Sequence, residues 1–253
     1  MTSKIWESNR RRKAMAVIAA GVVIGVGATV TLATWNDSEW VTGGASAANP
    51  YVGTSSFSIQ QNVSKAFDPS AWTDQPTQPG GQLDFALAAI SLSPGAAVYA
   101  PVSLSTRAAA LAIPGSVAAK SLVLNGAVRA TPTVVQTPAP TPAQTRIIPA
   151  TNDDLWKAVR LRVVVTTNAT SSLTGPPACE AALFGPGATY VVGNEARGAR
   201  IGVKGTVTRT LEKEGEDMQN YCFQIELPLG ASSDLQGMKI APAWRFSAES
   251  VTP

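Results

Sequence analysis

Apolar residues along most of this chain alternate with polar ones in short runs. The clearest run is 156–167, where Leu161, Val163 and Val165 alternate with Arg160 and Arg162. A period of two buries one face of a β-strand. The other short runs are 57–63, 83–92, 97–105, 121–128, 189–192, 200–208, 221–227 and 244–251. Roughly nine strands separated by Pro, Gly and Asn turns predict an all-β, jelly-roll-like antiparallel β-sandwich.

We place the predicted sandwich domain at 57–253. Two Pro-containing segments lie between its predicted strands. The sequence Ser93-Pro94-Gly95-Ala96 predicts a tight turn, because Pro presets φ and Gly accepts a positive φ. Segment 131–149 contains five prolines, which lack the N–H that a sheet ladder needs. We expect an extended surface loop there, with a spacer role favoured over a ligand for a Pro-recognising partner.

The beginning of the chain departs from the alternating pattern. Basic residues at 10–13 precede an uncharged, mostly apolar run, 14–33, with Thr31 and Ala33 at the two positions a signal peptidase reads. We therefore expect 1–33 to be a signal peptide with a helical apolar region, cleaved before Thr34. The mature protein would be secreted, with a flexible N-terminal segment, 34–56, in front of the sandwich.

A retained membrane anchor is the alternative interpretation of this apolar run. About twenty apolar residues are long enough to span a bilayer, and the basic flank would stay on the cytoplasmic side. The run contains Gly21, Gly25 and Gly27 and is rich in Ala and Val, which favours cleavage. A second small-residue site at 45–47 lies far beyond the apolar run. Membrane contact is thus expected only through the uncleaved segment.

Removal of the signal peptide changes the charge of the protein. Residues 1–33 carry five Lys and Arg and one Glu, so the remainder has a net charge of about −1 despite the pI of 9.0 for the full chain. The mature protein therefore has no overall basic surplus pointing to nucleic acid.

The two cysteines, Cys179 and Cys222, lie 43 residues apart in the exported part. An oxidising compartment favours a disulfide, which would stabilise the fold by on the order of 4 kcal/mol in the chain-entropy model. Such a bond would attach the loop around 176–177 to the strand at 221–227. Two free buried thiols, or a metal site without histidine, are the alternatives.

The chain contains no histidine. This excludes Ser-His-Asp and Cys-His nucleophile systems and His-based metal sites. The acidic segment 212–217 predicts a solvated hairpin tip, with a loose calcium site as the alternative. There is no glycine-rich phosphate loop. We therefore expect no enzymatic activity, no cofactor and no metal.

Aromatic residues and sequons carry weaker signals. Trp72, Trp156 and Trp244 could form a sugar-binding platform, although their spacing favours core packing. The sequons at Asn62 and Asn168 indicate only that these positions could be exposed.

Three groups of motifs resemble a known family. Segment 28–39, with its step Trp35-Asn36-Asp37, resembles the junction cut by SipW-type signal peptidases and the mature start of proteins in the TasA/camelysin group. The turn at 91–95 followed by the strand at 97–105 is similar to that group's Leu-x-Pro-Gly turn. The C-terminal segments 223–228, 235–237 and 244–249 resemble actinobacterial members.

The resemblance implies a jelly-roll sandwich, export through a SipW-type peptidase, and a role at the cell surface or in biofilm-matrix fibres. In the family, the mature N-terminus adds as a strand to a neighbouring subunit. This would make Trp35, Asn36, Asp37 and Trp40 an assembly segment, although an ordinary first strand or a leader is the alternative. The Pro-rich insert and the Cys pair depart from the group.

The resemblance leaves two further function classes. Part of the group has been described as camelysin-type metalloproteases, but a chain without histidine cannot build the familiar metalloprotease site. A monomeric surface adhesin or carbohydrate-binding module is the second alternative. Expected partners are the signal peptidase and further copies or other surface proteins, not nucleic acid.

Overall fold

The computed structural model describes residues 56–78, 80–85, 89, 91–109, 115–130, 134–135, 144–145, 151–169 and 175–251. The predicted signal helix, the cleavage positions Thr31, Ala33 and Thr34, and the assembly residues Trp35, Asn36, Asp37 and Trp40 lie outside these residues.

The described residues form mainly β-strands. These are β1 Ile59–Asn62, β2 Ala97–Thr106, β3 Ala119–Leu124, β4 Val128–Arg129, β5 Val134–Val135, β6 Gln144–Thr145, β7 Arg160–Ala169, β8 Tyr190–Val192, β9 Ala199–Arg200, β10 Arg209–Leu211, β11 Asp217–Glu226, β12 Pro242–Ala243 and β13 Phe246–Ser250. One α-helix, Asp153–Ala158, and the 3-10 turns Ala181–Phe184, Lys213–Gly215 and Ser233–Leu235 complete the assignment.

The strands form two main antiparallel sheets. The large sheet has the order β1-β2-β11-β7-β8, and β9 pairs with β7 further along the same edge. The small sheet has the order β10-β3-β13. Two short ribbons, β12-β4 and β5-β6, lie apart from them. At the centre of the large sheet, Phe223 of β11 is paired with Ala100 on one side and Val163 on the other.

The core lies between the two sheets. Leu161, Val163 and Phe223 of the large sheet are fully buried with Leu122 and Leu124 of the small sheet, and all five belong to one apolar cluster. Alternate residues of the long strands β2, β7 and β11 therefore face this core, as the period of two predicts. The predicted fold class is confirmed at the level of an all-β, sandwich-like antiparallel protein.

The run predicted as a strand from 156 begins as a helix instead. Asn152 caps it, since its Oδ1 accepts hydrogen bonds from the N–H groups of Asp154 and Leu155, each 2.9 Å long. Two acidic residues in the first turn complement the helix N-terminus. Strand β7 then starts at Arg160, so this local capping signal overrides the apolar alternation before it.

Two other predicted strands are wrong. In 83–92, the described residues form no strand, although Leu83, Phe85 and Leu92 still pack on the core. In 200–208, only Arg200 belongs to a strand. Apolar residues in these segments reach the core from irregular backbone, which a pattern of hydrophobicity alone does not distinguish from a strand.

Segment 201–206 crosses from one sheet to the other. The N–H of Gly205 donates to Leu124 O of β3 over 2.8 Å, and the N–H of Thr206 donates to Val191 O of β8 over 3.0 Å. A Cβ on residue 205 would lie 2.7 Å from Val191 Cγ1, so the close approach requires glycine. This crossing covers the β8 edge of the large sheet at Val191.

Two predicted turns and loops have clear outcomes. The turn at 93–96 is confirmed, because the N–H of Ala96 donates to Ser93 O over 2.9 Å and Gly95 has a φ of 83°. Of the expected Pro-rich loop, 131–149, the described residues are β5 and β6, which pair with each other rather than run as an unpaired extended segment. These four residues include no proline, so their N–H groups can join a ladder.

Candidate assembly edge and polar cleft

Strand β13 pairs with β3 along one side only, as far as the described residues show. The N–H of Asn125 donates to Arg245 O over 2.8 Å, and the N–H of Val251 donates to Ala118 O over 2.9 Å. In an antiparallel ladder these bonds involve every second residue. The backbone N–H and C=O groups of Phe246, Ala248 and Ser250 consequently face away from β3, and we name this side of β13 the assembly edge.

The side chains on the assembly edge are suited to a strand that remains part of the domain. Phe246 and Ala248 pack on the core, and the Phe246 ring lies 4.7 Å from that of Tyr221. Glu249 is exposed. A charged residue on an edge strand limits indiscriminate pairing. The backbone groups of the edge can therefore pair with another strand, but Glu249 disfavours pairing with arbitrary strands.

Both edges of the large sheet have partners within the described residues. On the β1 side, Gln61 and Thr73 exchange two backbone hydrogen bonds of 2.9 Å. On the β8 side, Val191 O accepts from Thr206. The other edge of the small sheet is the three-residue strand β10, where Thr210 O accepts from Gln219 Nε2 over 3.0 Å. The assembly edge, on the five-residue strand β13, is therefore the best candidate for pairing with another chain.

The first described residues lie close to the end of β13. Ser56 pairs in parallel with Ser116, and Ser56 O accepts the N–H of Val117 over 3.0 Å. The next residue, Ala118, is the partner of Val251. Thus segment 116–118 has Ser56 on one side and the end of β13 on the other.

A polar cleft of about 260 Å³ opens at one end of the sandwich, between β7, β10 and β11. Its lining residues are Thr167, Thr208, Arg209, Thr210, Asp217 and Gln219. Buried Gln219 organises the cleft: its Oε1 accepts from Arg209 Nε over 3.1 Å, and its Nε2 donates to Thr210 O over 3.0 Å. The guanidinium of Arg209 also donates to Thr167 Oγ1 over 3.0 Å, which fixes its orientation.

Asp217 also lines the cleft and is half-buried. Its Oδ1 accepts the N–H of Glu212 over 2.7 Å. Burial raises the pKa of Asp217, and this effect outweighs the hydrogen bonds from Glu212 and Gln219, which lower it. The cleft offers a fixed cation, a carboxylate and threonine hydroxyls, a set of groups that can bind a small hydroxylated molecule.

The tryptophans considered as a sugar platform are all half-buried. Trp156 and Trp244 pack against the core, and the Trp244 ring lies 5.0 Å from that of Phe223. Trp72 packs edge-on to Phe67 at 6.2 Å. Core packing is therefore the better account of Trp156 and Trp244.

The two sequon asparagines belong to a polar row on the outer face of the large sheet. Asn62 is buried, and its Nδ2 donates to Asp68 O over 2.6 Å. Ser103 Oγ donates to Asn220 Oδ1 over 2.6 Å, and Asn220 Nδ2 donates to Asn168 Oδ1 over 2.8 Å. The expectation that Asn62 could be exposed is wrong, because its side chain is buried and hydrogen-bonded to the backbone.

A disulfide between Cys179 and Cys222 joins the loop 175–189 to the outer face of β11. Beneath the loop, Phe184, Val164 and Cys222 form a second, smaller apolar cluster. The loop therefore buries a face of the large sheet that would otherwise be exposed.

The acidic segment 212–217 is not the tip of a hairpin. It contains the 3-10 turn Lys213–Gly215 and joins β10 of the small sheet to β11 of the large sheet. Its prediction failed because the flanking strands pair with different neighbours. No group of three metal-ligating side chains occurs among the residues described, and none of their helices is long and apolar enough to cross a membrane.

The polar cleft was not predicted from the sequence. Its residues come from three separate segments of the chain, and only the folded arrangement of the strands brings Arg209 to Thr167. Comparison with models of protein families, with curated proteins and with solved structures finds no match to this chain.

Proposed function

We propose that the chain is a secreted structural protein of the cell surface or extracellular matrix that assembles by strand addition. The observation that carries this proposal is the assembly edge on β13, whose backbone groups at Phe246, Ala248 and Ser250 face away from β3. An extended segment from another chain can satisfy such groups, and its side chains then set the register.

The proposed donor is the mature N-terminal segment, beginning at Thr34 after cleavage by a SipW-type peptidase. Trp35 and Trp40 are its aromatic anchors, and the Gly/Ala-rich stretch 43–48 is its hinge. A jelly-roll connection of the strands, self-assembly or pairing with other surface proteins, and a fibre role in a biofilm matrix belong to the same proposal.

Removal of 34–54 from the mature protein tests this function. We expect the truncated protein to keep its circular dichroism spectrum and thermal midpoint, because Ser55–Pro253 forms one compact unit. Negative-stain electron microscopy should show filaments of the mature protein and none of the truncated one. The double variant Trp35→Ala/Trp40→Ala retains the length of the segment and should weaken filament formation without changing the melting curve.

Three outcomes would contradict the proposal. Unfolding of the truncated protein would identify 34–54 as a strand of its own domain. Filaments of the truncated protein would place assembly elsewhere. A mature mass that includes residues 1–33 would indicate a membrane anchor.

A monomeric adhesin or carbohydrate-binding module is the second candidate, favoured by the polar cleft. The fixed guanidinium of Arg209 and the carboxylate of Asp217 could bind the hydroxyls of one sugar unit, although the described residues that line the cleft include no aromatic side chain. Glycan binding by a monodisperse protein, lost in Arg209→Gln, would favour this function over assembly.

A further inference from the structure

Three arginines lie together at the β9 end of the large sheet, on elements that neither proposed function uses. Arg160 of β7 and Arg200 of β9 are direct cross-strand partners. Their side chains therefore leave the same face of the sheet, with Cβ atoms about 5 Å apart. Arg197 belongs to the turn just before β9. We name these residues the arginine edge.

The turn 193–198 is built to lie close to β7. Asn194 Oδ1 accepts the N–H groups of Ala196 and Arg197, at 3.0 and 2.9 Å. A Cβ on residue 198 would lie 2.8 Å from the Cβ of Arg160. Glycine at 198 thus allows the turn that carries Arg197 to approach Arg160 directly.

The guanidinium of Arg160 is held in position by the end of the helix. Its Nη1 donates to Lys157 O and Ala158 O over 2.7 Å, and to Val159 O over 3.0 Å. Only one of its nitrogens takes part in these bonds. Arg160 is therefore a preoriented cation, while Arg197 and Arg200 are exposed.

The arginine edge has too few carboxylates to balance it. Among the residues that the structure describes, Arg160, Arg197 and Arg200 form no ion pair within 4.0 Å. Glu195 shares the turn. Glu226 of β11 is the cross-strand partner of Arg160 on the side away from Arg200, and its carboxylate lies 4.0 Å from the neighbouring Arg162. Four arginines against two glutamates leave a local charge of +2, in a mature chain whose net charge is about −1.

Like charges directly opposite each other in a sheet destabilise it. A structure that holds one of them in place and leaves the others exposed is suited to an anionic partner. Guanidinium groups bind carboxylate and phosphate in a bidentate manner. The three arginines follow one another on β7, on β9 and in the turn before β9. A row of cations suits successive charges on one linear chain better than a single small anion.

We propose that the arginine edge binds a linear anionic polymer bearing carboxylate or phosphate groups. This inference does not depend on strand addition, because the assembly edge lies in the other sheet. A protein with both surfaces could assemble and also attach to an anionic coat.

Binding of the full mature protein to a polyuronate and to an inorganic polyphosphate chain tests the proposal. The variant Arg197→Ser/Arg200→Ser should weaken binding at least tenfold. It should also reduce the slope of log K against log salt by roughly two, because two fewer charges are neutralised. The variant Arg197→Lys/Arg200→Lys should bind with intermediate affinity, since it keeps the charges and loses the bidentate geometry.

The matched control is Lys65→Ser/Lys213→Ser, which removes two exposed positive charges outside the arginine edge. It should change binding by less than twofold. Binding of one polymer and not the other would support the proposal and identify the acidic group. Equal losses in the control, or no binding of either polymer by the mature protein, would overturn it. Tighter binding of duplex DNA than of both polymers would replace it with nucleic-acid binding.

Discussion

Ser121 adopts a backbone conformation that its side chain disfavours. Its φ is 57°, in the left-handed region, and the residue is exposed. It lies where β3 has one residue more than each neighbour: Leu122 and Ala119 pair with Arg209 and Leu211 of β10, and β13 shows the same shift. This is a β-bulge in the central strand of the small sheet, and it shifts the register of pairing with both neighbouring strands.

We predict that Ser121→Gly stabilises the protein by up to about 1 kcal/mol, because glycine removes the steric cost of the left-handed conformation. Part of this gain is offset by the greater freedom of glycine in the unfolded chain. Ser121→Val should destabilise the protein instead. Urea denaturation followed by tryptophan fluorescence measures both changes, and a loss of stability in the glycine variant would argue against strain at this position.

Asp217 should make the stability of the protein fall as pH rises through the acid range, which is opposite to the usual effect of a carboxylate. Burial raises its pKa in the folded protein above the unfolded value of about 3.9. Between these two pKa values the folded state binds more protons, so the contribution to stability is full below the unfolded pKa and falls as pH rises through the folded one. We predict that Asp217→Asn becomes progressively more stable than the parent as pH rises from 4 to 6.

Asp68 provides a control of opposite sign. Hydrogen bonds from the side chain and backbone of Ser70 lower the pKa of Asp68. Its contribution to stability is present above the unfolded pKa and is lost as pH falls. Asp68→Asn should therefore lose stability relative to the parent mainly as pH rises toward 4, with little further change from 4 to 6. A pH profile that matches that of Asp217→Asn would refute the assignment.

At the scale of elements, the alternation of residues predicted strands wherever both neighbours in the sheet were regular. Strands β2, β7 and β11 follow this rule, since Val98, Val102 and Leu104 face the core on β2 as Leu161 and Val163 do on β7. Prediction failed where the chain crosses between sheets, as at Gly205, or where a cap starts a helix, as at Asn152. Alternation records burial, and burial alone does not specify hydrogen-bond partners.

The disulfide is an element-scale constraint because it holds one loop against one strand. Cys222 is 3% exposed on β11, and the loop that carries Cys179 covers Val164 through Phe184. We predict that Cys179→Ala/Cys222→Ala lowers the free energy of unfolding by roughly 2–4 kcal/mol, with the cross-linked loop spanning 43 residues. Limited proteolysis should then cut the loop 175–189 before the strands.

Mass spectrometry of the parent protein after alkylation without reductant gives the matching check. No added label is expected, and two labelled thiols would contradict the bond. Phe184→Ala should loosen the same loop without removing the cross-link, so comparison with the cysteine variant separates packing from covalent restraint.

For the whole molecule, the sequence predicted export and a sandwich but could not identify which edge is open. That depends on partners distant in the chain, such as Thr73 beside Gln61 and Thr206 beside Val191. The polar cleft and the arginine edge were equally inaccessible to pattern, because Arg209 reaches Thr167 and Arg160 faces Arg200 only after strand pairing. Both surfaces form only when the strands pair in the observed register.

Proline substitutions on β13 can separate assembly from folding. Ala248 has its N–H on the assembly edge, whereas the N–H of Glu249 faces β3. We predict that Ala248→Pro abolishes filaments while the domain still melts as a folded protein, because proline removes only a donor that a neighbouring chain would use. Glu249→Pro removes a donor of the internal ladder and should lower the thermal midpoint instead. If Ala248→Pro protein that is folded by circular dichroism still forms filaments, β13 is not the acceptor strand and assembly proceeds through a different surface.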